Sequence, residues 1–118
     1  TKKRISKNNF YSTEKFVSKE VLNEFNFVNI HPGWIPVKFN QVKDKKFSFI
    51  HIDVDLYDPT MDSLKFFYPR LQDGGAILCD DYNVVHYPGA RKAWDEFFID
   101  KEYNFFYESP LGGCFIIK

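Results

Sequence analysis

Phe47-Ser48-Phe49-Ile50-His51-Ile52-Asp53-Val54-Asp55 is the stretch from which the architecture follows. Aromatic and β-branched residues run almost unbroken into a carboxylate, so residues 47–53 read as a central, parallel strand covered on both faces. Downstream, Asp58-Pro59 reads as a helix start, with Asp58 as N-cap and proline at the first helical position. Met61, Leu64, Tyr68 and Leu71 continue it as one apolar stripe. Asp73-Gly74-Gly75 ends that helix and launches a second buried strand, residues 76–79, which again runs into acids, Asp80 and Asp81. A further helix starts near Pro88-Gly89 and carries Ala90, Ala93, Trp94, Phe97 and Phe98 on one face. Residues 103–107 and 114–117 close the chain as a hairpin. The order β-α-β-α-β-β predicts an α/β fold, parallel strands with a C-terminal antiparallel hairpin and helices on both faces.

Upstream, Ser12 or Thr13 caps a predicted helix with Phe16, Val17, Val21, Leu22 and Phe25 at helical spacing. Residues 27–30 read as a short strand, stopped by His31-Pro32-Gly33-Trp34-Ile35-Pro36. Residues 40–46 read as a polar loop.

Composition bounds the function. A chain of 118 residues fits one domain or part of one. With 16 basic and 16 acidic residues there is no net field to draw nucleic acid or an acidic membrane, and no apolar run is long enough to cross a bilayer. Neither nucleic acid nor membrane is expected as a partner. Cys79 and Cys114 lack metal-ligand spacing and suit reduced thiols in a cytoplasmic protein. The chain begins at Thr1, and residues 1–19 carry six bases against one acid, with no signal-peptide core.

Ligands of open parallel sheets gather beyond the carboxyl ends of the strands. Those ends are occupied here by Asp53, Asp55, Asp80 and Asp81, and from Asp53 to Asp81 seven acids face only Lys65 and Arg70. Like charges about 4 Å apart repel by roughly 4 kcal/mol at an effective dielectric near 20, so such a group calls for a cation or shared protons. Carboxylate oxygens suit Mg²⁺ or Ca²⁺. Taken singly, each aspartate reads as a strand-end or capping residue; two strand ends bearing acid pairs, each followed by tyrosine (Tyr57 and Tyr82), favour a functional cluster. His51 reads as a hydrogen-bonded core residue and His86 as a residue of the loop after Asp80-Asp81 that is able to approach the site. Cys79 reads as an inert buried thiol, Trp94 as core, and Gly74-Gly75 and Gly112-Gly113 as turn glycines.

Residues 47–98, with Ile52-Asp53-Val54-Asp55-Leu56-Tyr57, Tyr68-Pro69-Arg70-Leu71, Gly74-Gly75, Asp80-Asp81-Tyr82 and Pro88-Gly89-Ala90-Arg91, preceded by Gly33-Trp34-Ile35-Pro36, resemble the macrocin O-methyltransferase family. The resemblance implies a Rossmann-like methyltransferase sheet, S-adenosylmethionine as methyl donor, Mg²⁺, and a small-molecule hydroxyl acceptor, typically a sugar. It maps the metal onto Asp53, Asp80 and Asp81. Asp55 becomes the base that takes the hydroxyl proton, since the lysine that related catechol-type enzymes place three residues after the first acid is Leu56 here. Gly33, Trp34 and Ile35 fall near the adenine of the donor, with Asp53 also on the cofactor side. The family's first two strands, with their glycine-rich turn, have no counterpart, so residues 1–118 are expected to be the C-terminal half of a longer enzyme that alone binds the donor poorly. Pairing of exposed strand edges with another copy, a homo-oligomer, is one route to covering them. Two other readings accompany an Asp-x-Asp at a strand end: a metal-dependent phosphatase or glycosyltransferase, and a non-catalytic fragment.

Overall fold

The computed structural model describes Leu22 and residues 24–118. They belong to two compact units, residues 1–33 and 34–118. In the first, the helix expected from Ser12 or Thr13 lies outside the described residues except at its end, where the Phe25 amide closes a turn onto the Leu22 carbonyl at 3.0 Å. The strand expected over residues 27–30 is not formed. The Val28 amide is turned back onto the Phe25 carbonyl (3.3 Å) and Phe27 packs its ring edge on Phe25. Asn29 interrupts the apolar residues, and no strand among the described residues pairs with them.

The second unit holds the sheet. After a 3₁₀ helix, Val37–Val42, which takes up the start of the expected loop, come β1 (Phe47–Ile52), α1 (Tyr57–Phe67), a 3₁₀ turn (Tyr68–Arg70), β2 (Leu71–Cys79), α2 (Pro88–Phe98), β3 (Phe105–Glu108) and β4 (Cys114–Ile117). The sheet order is β1-β2-β4-β3. β1 and β2 run parallel, whereas β4 is antiparallel to both β2 and β3. The α/β order and the closing hairpin are those expected.

Three boundaries differ from the sequence reading. Leu56, not Asp58, is the N-cap of α1, and Asp58 sits in the first turn, where its charge still favours the helix dipole. Pro59 is tolerated there because first-turn amides have no intrahelical acceptor. Second, α1 gives way at Tyr68-Pro69, and Leu71 already belongs to β2. Arg70 satisfies freed carbonyls, donating to Phe66 (2.7 Å) and Lys43 (2.9 Å). Third, Gly74-Gly75 lies inside β2 as a bulge rather than before it: Phe47 pairs with Leu71 but Phe49 with Ala76. A Cβ on Gly75 would stand 2.9 Å from the carbonyls of Gln72 and Ser48, so only glycine fits that crossing.

The core explains the order. Ile50, Ile52, Ile77, Cys79, Cys114 and Ile116 point to one side of the sheet and meet Leu64 and Tyr68 after β1, and Ala90, Trp94 and Phe98 of α2. Full burial of side chains such as Leu64 and Ile77 contributes about 1.5–3 kcal/mol each. The opposite face is different. Phe49 is 58% exposed, and His51 and Asp53 are exposed beside it. Among the described residues, then, helices cover one face of the sheet, and β1 alternates rather than being buried on both sides. No helix among them is long and apolar enough to cross a membrane.

Candidate functional site

Parallel pairing sets the site. Ile52 and Cys79 are register partners, and the Asp80 amide extends the ladder onto the Ile52 carbonyl at 3.0 Å. Asp53 and Asp80 therefore leave adjacent strands at the same edge. One carboxylate oxygen from each of Asp53, Asp80 and Asp81 lies within 4.8 Å of the others. Asp81 is buried, at 6% exposure, while Asp53 and Asp80 are open to solvent. Partial loss of water raises the Asp53 carboxyl above its usual range, the charges of Asp81 and Asp80 add to this, and His51 opposes it. Three hard oxygen donors with mutual repulsion and an open side fit a Mg²⁺-like cation, which keeps several sites for water or substrate.

Asp55 sits beside this group in an unusual backbone conformation. Its φ is 59°, and it is the one non-glycine residue with positive φ among those described. Left-handed backbone costs an L-residue roughly 1–2 kcal/mol. The turn is tight, with the Leu56 amide donating to the Val54 carbonyl at 2.6 Å, and the Asp55 amide donates to Asp81 Oδ2 at 2.9 Å. Partial desolvation, then the charges of Asp81 and Asp53, raise the Asp55 carboxyl as well. A carboxylate that binds a proton more readily than usual is suited to accept one.

His51 departs from its reading as a core residue. It lies on the uncovered face of β1, two residues before Asp53, with Nε2 3.4 Å from Asp80 Oδ1 and 46% of its side chain exposed. The period of the strand decides this: even positions 50 and 52 are buried, odd ones are not. His86 is exposed on the loop after β2. Cys79 and Cys114 are free and buried, and burial pushes the Cys79 thiol up to about 12, so neither resembles a nucleophile. Gly33, φ 136°, closes the first unit. Trp34 is 86% exposed and Ile35 half-buried at the start of the second, where the Trp34 carbonyl accepts the Lys38 amide at 3.1 Å.

The supports of the acid pair escaped the sequence reading. Tyr82 is buried beside Trp94 and Phe106 and donates its hydroxyl to Asp95 at 2.6 Å, with Arg91 over its ring. Asn83 donates its amide nitrogen to Glu108 and accepts from Arg91, both at 2.6 Å, while its backbone amide reaches the Gly112 carbonyl. These bonds tie the turn after Asp81 to α2 and to the β3-β4 hairpin. The available signal was the Arg91/Asp95 pair, four apart on one face of α2.

The chain is similar to known proteins in sequence and in fold. Over 70 residues the chain is 34% identical to mycinamicin III 3''-O-methyltransferase of Micromonospora griseorubida, a match spanning 59% of this chain and 26% of that enzyme. Over 57 residues, 48% of this chain and 22% of the relative, it is 35% identical to 8-demethyl-8-(2,3-dimethoxy-alpha-L-rhamnosyl)-tetracenomycin-C 4'-O-methyltransferase of Streptomyces olivaceus. The matched region is thus about a quarter of the length of these relatives. The fold is similar to that of the O-methyltransferase NovP, with a TM-score of 0.63 at 23% identity, covering 81% of this chain and 41% of that one. It is also similar to that of CalS11, a TDP-rhamnose 3'-O-methyltransferase, with a TM-score of 0.54 at 19% identity over 70% of this chain and 36% of that one. Residues 4–104 match the family Macrocin-O-methyltransferase (TylF), and the chain belongs to that family.

Proposed function

We propose that this chain supplies the carboxylate-bearing, C-terminal part of an S-adenosylmethionine-dependent O-methyltransferase acting on a hydroxyl of a sugar or similar small molecule. The observation that carries the reading is the approach of Asp53, Asp80 and Asp81 to within 4.8 Å at one sheet edge, with Asp55 two residues beyond the first. Family membership supports methyl transfer over the phosphatase and glycosyltransferase readings of the same Asp-x-Asp. The names of two relatives, each a methyltransferase of a specified sugar-bearing compound or sugar position, support a sugar hydroxyl as acceptor.

In this reading Asp53, Asp80 and Asp81 hold Mg²⁺, which when bound offsets their repulsion and makes a nearby hydroxyl more acidic. S-adenosylmethionine, held in this reading with Asp53, Trp34 and Ile35 on its side, would supply the methyl group on a sulfonium. The new C–O bond forms as the C–S bond breaks, and the hydroxyl proton passes to Asp55, leaving the neutral thioether. His51, 3.4 Å from Asp80, helps keep that carboxylate turned toward the edge.

Mn²⁺ titration followed by electron paramagnetic resonance tests the cation part. One ion is expected per chain, with affinity reduced at least about tenfold by Asp53→Asn; a wild-type chain that binds none sinks it. Transfer of labelled methyl from S-adenosylmethionine to sugar hydroxyls by the longer enzyme that contains these residues tests the reaction. Asp55→Asn is expected to lower the rate by about 10²–10⁴, and a rate unaffected by that change removes Asp55 from the role of base.

A further inference from the structure

The bond between the Asp55 amide and Asp81 does more than close a turn. Asp55 stands between the end of β1 and the first residue of α1, with the Leu56 amide already committed to Val54. Its own amide points out of that turn and finds its acceptor 26 residues away, at Asp81 Oδ2, 2.9 Å distant. A left-handed aspartate has alternatives of lower energy, so something outside the turn must hold it. Asp81 is suited to that: it is buried at 6% exposure, and the next two residues are fastened to α2 and the hairpin through Tyr82–Asp95 and Asn83–Gly112.

We propose that Asp81 is a positioning residue for Asp55, using one carboxylate oxygen to hold the Asp55 backbone in its left-handed turn while its remaining lone pairs serve the acid cluster. The inference deepens the proposed methyl-transfer reading and rests on it for the role of Asp55. A carboxylate has two oxygens and about four acceptor positions, so both tasks can be met at once. The consequence is that charge and acceptor can be separated. Asp81→Asn keeps an oxygen for the Asp55 amide but lacks the negative charge, whereas Asp81→Ala lacks both.

Amide hydrogen exchange by nuclear magnetic resonance on the cation-free 118-residue chain reads the hold directly. Protection of the Asp55 amide is expected to stay within about threefold in Asp81→Asn and to fall at least about tenfold in Asp81→Ala, as for loss of one charge-assisted hydrogen bond. Amides of Ile77 and Ile116 in the β2-β4 ladder are expected to keep their protection in both. Equal loss in the two variants, or a loss spread evenly over the ladder, would overturn the proposal. A scalar coupling across the bond, from the Asp55 nitrogen to the Asp81 side-chain carboxyl carbon, is expected in the wild-type chain and needs no variant to fold; its absence also overturns the proposal. A further split is expected in methyl transfer by the longer enzyme that contains these residues: excess Mg²⁺ restores Asp81→Asn but not Asp81→Ala, whose kcat falls with donor KM unchanged. Failure of all methyl transfer with the amide pattern intact would count against the reading of the site and not against the hold.

Discussion

The hydroxyl of Tyr82 donates to Asp95 Oδ1 at 2.6 Å, joining the residue after the acid pair to the middle of α2. The bond raises the phenol of Tyr82 well above its usual range, after burial, and keeps it protonated as a donor. Removing it with Tyr82→Phe is expected to cost about 1–2 kcal/mol, the lower part of the range for bonds to a charged partner, because Asp95 is half exposed and retains Arg91. Urea unfolding should move its midpoint to lower concentration with an unchanged slope.

Gly89 opens α2 against the first residue of α1. A Cβ there would lie 2.8 Å from the Tyr57 backbone nitrogen, which cannot step aside without disturbing the start of α1. Gly89→Ala is therefore expected to destabilise by about 1–3 kcal/mol despite the better helix propensity of alanine. Thermal unfolding checks it; an unchanged midpoint would mean that the helix pair separates freely.

The two buried thiols make stability fall in alkali. Burial lifts the Cys79 thiol from 9.0 to about 12 and moves Cys114 in the same direction. Above pH 9.0 the unfolded chain releases these protons while the folded chain keeps them. The unfolded state then binds fewer protons, so stability declines as pH rises, by about 1.4 kcal/mol per unit for each thiol. Urea titrations between pH 8 and 11 should show this slope flattened in Cys79→Ala.

The two faces of β1 should respond differently to truncation. Ile50, at 7% exposure within the core, is expected to lose about 2–5 kcal/mol on change to alanine. Phe49, 58% exposed, is expected to lose under about 1 kcal/mol. Equal losses measured by denaturant unfolding would mean that the exposed face is covered in solution.

Much of the site was legible before the fold. Asp53 and Asp80 end apolar runs, and two such runs joined by one helix become parallel neighbours whose ends coincide, so their convergence follows from chain order. The environment of His51 did not follow, because an apolar strand does not say which of its faces is covered. The bulge at Gly74-Gly75 was hidden for a related reason: glycines mark a bend, while the register partner that makes it a bulge lies on another strand.

Composition and local pattern alone determined that the chain is an α/β unit with acids at its strand ends, since periodicity and punctuation by glycine and proline act within a few residues. Only the tertiary structure decided that Asp81 is buried, that Asp55 is left-handed, and that the amide of Asp55 donates to the carboxylate of Asp81. A hydrogen bond spanning 26 positions is a relation between separate strand ends, and no local preference encodes it.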